Sequence, residues 1–527
     1  MNHRHFLLKA AAAIMLSVPF ATGAEDLVIL HTNDTHSLID PDKDGRGGVL
    51  QRKAIIDSVR KAEKNVILVD AGDMVQGTLY FKYFKGDVEY PLMNMLGYDI
   101  RILGNHEFDN GMKELAKRYK DVKAHRLSAN YDFSGTELQG MFDPYVIKKA
   151  GGKRIGFIGI NVDPESLISK ENIEGVKFKD VIKTANETAA FLKDKKKCDL
   201  VVVVSHIGAV KENDKATDYD LAKASRDIDI IIGGHSHTVI EPGNKGKYPS
   251  VVENAAGRPV LIAQTGKYGK KLGYIKIDLD ALKKTTPAQF DYELIDITDR
   301  FPADRLDKSI KGFIAPYKHM VDSVNNRVIG RSLHDLDSDD RNGGYANWAA
   351  DYARWFGQLV LDSINGRDGM PQRLDIGVMN VGGIRQNMPK GDVTEGQILA
   401  TFPFANHMVI TAVKGADIMD ALKVAAKKGG EGISGNVRVV VDKDHNLKRV
   451  VVDGREMDPE KTYTVATIDY VAAGNDDLAG FGRGKLLWRD NAEMAVPMMR
   501  YINHLTGLGL PIAPDMTGRF QEEITIP

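Results

Sequence analysis

The sequence predicts an α/β protein, α+β in the mixture of its sheets, built from two domains. Three observations carry this. At 527 residues the chain is longer than a single hydrophobic core keeps growing, so it should divide. Its first half repeats one unit: a short apolar run, Asp, His or Asn directly behind it, then a stretch with helical spacing of apolar residues. Its second half mixes strand-like and helix-like segments of its own.

Composition narrows the class. Hydrophobic residues make up 43% and charged residues 27%, the balance of an ordinary globular protein. The formal net charge of -1 provides no basic field, so no nucleic acid polymer is expected as a partner. The one cysteine, Cys198, excludes an internal disulfide framework and any multi-cysteine zinc or iron–sulfur site. It stands just before the strand predicted at Leu200–Val204 and reads as a buried structural thiol.

Residues 1–24 read as a cleaved export signal. His3, Arg4 and Lys9 give a positive start, Ala10–Ala21 is apolar but too short to span a bilayer, and Thr22 and Ala24 fit the −3 and −1 cleavage positions. No cysteine follows for a lipid anchor, and no later run is long enough to cross a membrane. The mature chain is expected to be periplasmic or secreted, without a stable membrane anchor.

Taken in order, Leu27–Leu30 is a buried-strand pattern followed by His31-Thr-Asn-Asp-Thr-His36, and Val49–Val59 is helical in spacing. Val66–Val69 is a strand followed by Asp70-Ala-Gly-Asp73, where glycine permits a tight turn that projects Asp73 beyond the strand end. Pro91–Leu96 reads as helix. Ile100–Leu103 is a strand feeding Gly104-Asn-His-Glu-Phe-Asp109. Further strands are Ile155–Ile160, then Leu200–Val204 before Ser205-His206, then Ile228–Ile232 before Gly233-Gly-His-Ser-His237. Val260–Ala263 and Gly273–Leu279 are expected to close the sheet.

Five apolar runs therefore end in Asp34/His36, Asp73, Asn105/His106, His206 and His235/His237. A polar turn explains any one of them. Five at strand ends are different, because such ends gather on one edge of a sheet. Two carboxylates, an amide and several imidazoles, without thiolate, suit divalent Mn, Zn, Fe or Co better than an all-oxygen Mg or Ca site. The set is too large for one tetrahedral ion and sufficient for two that share a carboxylate. Two ions roughly 3.5–4 Å apart clamp a phosphoryl group and generate hydroxide at neutral pH.

HTNDTH, AGD, GNHEFD, SH and GGHSH, in this order from Leu27 to about Leu279, resemble the calcineurin-like metallophosphoesterases. The HTNDTH opening resembles the branch containing secreted 5′-nucleotidases and the UDP-sugar hydrolase/5′-nucleotidase. The resemblance implies a four-layer α/β/β/α sandwich. It also implies that Asp34, His36, Asp73 and His237 hold one metal, and that Asp73 as bridge, Asn105, His206 and His235 hold the other. His106 is then the unligated catalytic histidine, oriented by Asp109. His237 stands where several of these nucleotidases carry Gln.

Past Asp280 the chain turns more polar, and Arg300–Arg327 has helical spacing with few glycines. The predicted division is a phosphoesterase domain over 25–299, a linker helix over 300–327 and a substrate-binding domain over 328–527. Helices are predicted at Tyr345–Leu361 and Ala416–Lys427, and strands at Ile376–Met379, Met408–Val413, Val437–Val441, Arg449–Val452 and Tyr463–Ile468. Asn380-Val-Gly-Gly-Ile-Arg385 puts a turn and a phosphate-pairing guanidinium after a strand. Thr401-Phe-Pro-Phe404 and Ile468-Asp-Tyr470 offer aromatics able to stack on a base, and Gly474–Leu478 offers carboxylates to hydroxyl groups.

These segments also resemble the family's C-terminal nucleotide-binding domain, a mixed α/β unit. By that resemblance Phe404 and Tyr470 sandwich the base, Arg341 and Arg385 meet the phosphate or carboxylate-like groups, Asp476 contacts the ribose hydroxyls, and Asn380 belongs to the substrate-binding set. Tyr470 replaces a common phenylalanine, and Asn475-Asp476 a Gly-Asp pair. The implied activity is release of phosphate from nucleoside 5′-monophosphates, metal-bound hydroxide attacking phosphorus with His106 and Asp109 assisting. The alternatives are 2′,3′-cyclic nucleotide phosphodiesterase or UDP-sugar pyrophosphatase, then thiosulfohydrolase, and outside enzymes a non-catalytic nucleotide-binding protein. A monomer is expected, with a dimer as the alternative.

Overall fold

The computed structural model describes residues 26–42, 44–165, 167–211, 215–283, 290–364 and 371–523; the export signal predicted at 1–24 lies outside them. The apolar runs of the first half become strands buried on both faces. In the strand Asp26–Thr32, Leu27 and Ile29 point into one core while Val28 and Leu30 point into another. The period of two explains why such a run is continuously apolar rather than alternating.

The strands do not close one sheet, as the sequence pattern suggests, but divide between two. The first has the order Phe290–Asp296, Lys271–Asp278, Asp26–Thr32, Asn65–Asp70, Ile100–Ile102, His125–Leu127. The second runs Val251–Glu253, Pro259–Ala263, Ile230–Ile232, Leu200–Ser205, Lys153–Ile160, Tyr145–Ala150. Gly273–Leu279 thus belongs with the first sheet and Val260–Ala263 with the second. Apolar periodicity says that a strand is buried on both sides, not which sheet it joins. The sheets share a core in which Ile29, Val69 and Ile102 face Phe157, Val202 and Ile232. Helices such as Val49–Ala62 and Val181–Asp194 cover the outer faces. The result is the expected α/β/β/α sandwich.

The centre of each sheet is parallel, so strand ends collect at one edge. Between the halves runs the helix Lys308–Asn325, capped by Asp307, whose carboxylate accepts from the amides of Ser309 and Ile310. The helix is shorter than the predicted 300–327 segment. The second half holds a five-stranded mixed sheet, Gly432–Ile433, Ile376–Met379, Thr462–Ile468, His407–Lys414, Lys485–Glu493, backed by the helix Gly344–Ser363. A four-stranded sheet lies beside it, around Val437–Val441 and Leu447–Val452.

Candidate active site

The predicted residues of the first half converge across the seam between the two sheets. Asp34, His36, Asp73 and Asn105 follow strands of the first sheet; His206, His235 and His237 follow strands of the second. Asp34, His36, Asp73, His235 and His237 all have left-handed backbone, with φ between 44° and 71°. Asp and His tolerate this region better than most residues, but it remains uphill and persists only where surroundings enforce it. The turns interlock: Asp34 N donates to Gly72 O at 2.9 Å, His36 N to Asp73 O at 3.0 Å, and His235 N to Asp34 Oδ2 at 3.0 Å.

Backbone carbonyls hold the outward ring nitrogens of two histidines. His36 Nδ1 is 3.3 Å from Val75 O and His206 Nδ1 is 2.6 Å from Ala71 O, which turns both Nε2 atoms into the pocket. His36 Nε2 meets His237 Nε2 at 3.0 Å, and both approach Asp34 Oδ1, at 3.8 and 3.5 Å. His206 Nε2 lies 3.2 Å from Asp73 Oδ2, yet it is buried without an aligned hydrogen-bond partner among the described residues. Asn105 Oδ1 and His235 Nδ1 are 3.1 Å apart.

This donor set fits divalent metal. In each of the groups Asp34, His36, His237 and Asp34, Asp73, His206, ligand atoms lie within 4.8 Å of one another. Asp34 is the carboxylate common to both, whereas the resemblance gives the bridging place to Asp73. Electrostatics agree that a cation is wanted. Burial pushes Asp34 up to about 7, opposed by His206 and reinforced by Asp73. Burial would depress His206, but Asp73 and Asp34 outweigh it and raise the imidazole to about 10.

His106 stands apart from that set. Its Nδ1 is 3.0 Å from Asp109 Oδ2, which leaves Nε2 free, and its backbone N donates to Asp73 Oδ1 at 2.9 Å. Burial works to lower it, but the carboxylates of Asp109 and Asp73 prevail and hold it above the ordinary histidine value. Glu107, to which the sequence pattern assigns no role, ties the turns together. Its buried carboxylate accepts from the amides of Gly104 (2.6 Å), Asp73 (3.1 Å) and Met74 (3.1 Å) and lies 3.5 Å from Arg101. The sequence carries no signal for it, because the amides that it caps are brought together only by the fold.

The second half reaches into the same place. The ring of Phe404 stacks on His106 with centroids 5.8 Å apart. Asn380 Nδ2 donates to Asp476 Oδ2 at 2.6 Å, and the Tyr470 hydroxyl donates to Asp476 Oδ1 at 3.2 Å, so these three predicted residues form one cluster. Arg385 lies near enough to the pocket that, after burial, its charge is the next influence lowering His36. Arg341 is engaged elsewhere. It pairs with Glu431 at 2.9 Å, a buried carboxylate without sequence signal that also accepts from Val381 N at 2.6 Å.

Residues 27–239 match the model of the calcineurin-like phosphoesterases, and the chain is a metal-dependent phosphoester hydrolase. Residues 328–483 match the 5′-nucleotidase C-terminal domain. The chain belongs to the 5′-nucleotidase family, which joins those two domains. It is 28% identical to the 5′-nucleotidase of Rattus norvegicus over 568 aligned residues, covering 98% of this chain and 94% of the relative. It is 26% identical to the trifunctional nucleotide phosphoesterase protein YfkN of Bacillus subtilis, over 96% of this chain and 35% of that protein. Among solved structures, the 5′-nucleotidase precursor from Thermus thermophilus superposes with a TM-score of 0.80 at 27% identity, covering 95% of this chain and 100% of that one.

Proposed function

We propose that the chain is an exported 5′-nucleotidase acting on nucleoside 5′-monophosphates with two divalent metal ions. The observation that carries the reading is the stacking of Phe404, from the second domain, on His106 at the edge of the carboxylate–imidazole pocket. Phosphoester chemistry and an aromatic surface for a base meet there and share a wall.

Asp34, His36, Asp73 and His237 would hold one ion, and Asp73, Asn105, His206 and His235 the other, with Asp34 within reach of both groups. Bound there, Mn, Zn, Co or Fe ions supply a nucleophile at neutral pH and neutralise phosphoryl charge. The residues do the rest. Asp109 fixes the tautomer of His106, so that Nε2 faces the phosphoryl oxygens or the leaving 5′-oxygen and stabilises the charge that develops or supplies a proton. Arg385 adds a permanent positive charge on the phosphate side. Phe404 and Tyr470 take the base between them, and Asp476, already oriented by Asn380, receives the ribose hydroxyls. An apolar recess lined by Met379, Phe402 and Ile468 lies beside Phe404. Among the described residues no helix is long and apolar enough to cross a membrane.

The test is phosphate release by the mature protein reconstituted with Mn²⁺, Zn²⁺ or Co²⁺ on AMP, 2′,3′-cyclic AMP and UDP-glucose. AMP should be the preferred substrate and a chelator should abolish turnover. Preferred opening of the cyclic diester, or release of a sugar phosphate, would transfer the assignment to the phosphodiesterase or UDP-sugar pyrophosphatase alternative.

A further inference from the structure

Residues 266–270 have no part in the chemistry proposed for the pocket, yet their course is unusual. They link the strand Pro259–Ala263 of the second sheet to Lys271–Asp278 of the first, crossing the seam where the ligand loops meet. At the centre of the segment Tyr268 has φ +66°, a conformation that a bulky aromatic residue rarely adopts without a compensating contact. The flanking Gly266 and Gly269, at φ +80° and +55°, let the chain turn into and out of it.

Two hydrogen bonds provide that compensation, and they lead to different domains. The backbone N of Tyr268 donates to Asp34 O at 2.6 Å, directly on the first ligand loop. Its hydroxyl donates to Arg385 O at 2.8 Å, on the loop that carries the phosphate-side guanidinium. The ring stands edge-on to His36, with centroids 5.9 Å apart. Lys267 adds a second tie across the domains, with Nζ 3.3 Å from Asp339 Oδ2. The Arg385 loop is itself coupled to the aromatic loop, because Arg385 N donates to Thr401 O at 2.8 Å.

We propose that Tyr268 is a positioning residue for substrate capture: its hydroxyl latches the Arg385 loop of the second domain to the Asp34 loop of the first, so that the guanidinium stands over the metal-ligand pocket only when the domains are docked. This rests on the nucleotidase reading for its substrate, but the latch itself is a matter of geometry. A single residue one bond from Asp34 and one bond from Arg385 transmits domain placement to the phosphate side directly. Tyr268→Phe removes the hydroxyl while keeping the ring against His36 and the backbone bond to Asp34.

The kinetic arm compares the wild type, Tyr268→Phe, Arg385→Ala and the double variant on AMP. Tyr268→Phe should lower kcat/KM about 3- to 10-fold, the size of one ordinary hydrogen bond, with the change carried by KM and with wild-type metal content and melting temperature. In the Arg385→Ala background the same substitution should add almost nothing, because the residue acts through that loop. The second arm needs no turnover. Spin labels at Glu187→Cys and Lys423→Cys, exposed positions on helices of the two domains, should show a broader and longer distance distribution in Tyr268→Phe than in the wild-type background. Unchanged distances, or a full-sized kinetic effect that persists without Arg385, would overturn the latch. If wild-type protein hydrolyses no AMP, the nucleotidase reading falls and the label distances alone decide whether Tyr268 holds the domains.

Discussion

His106 is placed as much by its neighbours as by its own contacts: Asp109 fixes one ring nitrogen, Asp73 holds its backbone, and Phe404 covers its face. His106→Ala should therefore retain bound metal, measured by elemental analysis, while AMP turnover falls by about 10²–10⁴-fold, the usual contribution of a general acid–base group. Turnover near that of the wild type would remove the residue from the mechanism. His31, five residues upstream of His36, shows what a histidine looks like when its role is packing. It is fully buried, stacks on Tyr292 at 6.1 Å, and neither ring nitrogen has a hydrogen-bond partner among the described residues. Burial lowers its pKa to about 3 from the ordinary 6.5. A histidine depressed in the fold contributes stability that is present above the unfolded value and is lost as pH falls from 6.5 towards 3, because only the unfolded chain takes up the proton. Denaturant titrations of wild type and His31→Phe should diverge below pH 6.5, the wild type losing up to about 1.4 kcal/mol per pH unit relative to the variant. Parallel pH profiles would show that His31 finds a proton acceptor in the fold.

The strand-end turn is the element on which the site depends, and its glycines are set by neighbouring side chains rather than by flexibility. A Cβ on Gly104 would fall 2.1 Å from Asp73 Oδ1, so Gly104→Ala should displace that carboxylate. The expected result is weaker binding of the metal ions in calorimetry, with far-UV circular dichroism unchanged; wild-type affinity would mean that the turn relaxes freely. These turns are legible in the sequence because they follow fully buried strands such as Leu200–Ser205, whose apolar runs are unbroken. Strands with one face near solvent give no such signal: Tyr145–Ala150 and Lys485–Glu493 are partly exposed along most of their length, and their short apolar runs are broken by charged residues. The seam between two sheets escapes notice for a related reason, since a residue period records burial but not the partner strand. Glu107 and Glu431 are equally silent, because a carboxylate that caps buried amides is recognised only once those amides are in place.

At the scale of the whole molecule, the ligand pocket belongs to the first domain and the aromatic surface to the second, so the two should be separable by substrate. Phe404→Ala combined with Tyr470→Ala should raise KM for AMP while sparing a small aryl phosphate, which has no nucleoside to hold. Equal losses on both substrates would place the aromatics in the chemistry instead. The seam has a further consequence, in the language of chain entropy. Asp34 and His237 approach one another from opposite sheets, and an ion held by them would close a loop of about 200 residues, the kind of constraint that a disulfide imposes on an unfolded chain. With a single, buried cysteine the protein has no internal disulfide. Its metal ions would be its cross-links, and the catalytic inventory and the mechanical one would be the same set of atoms.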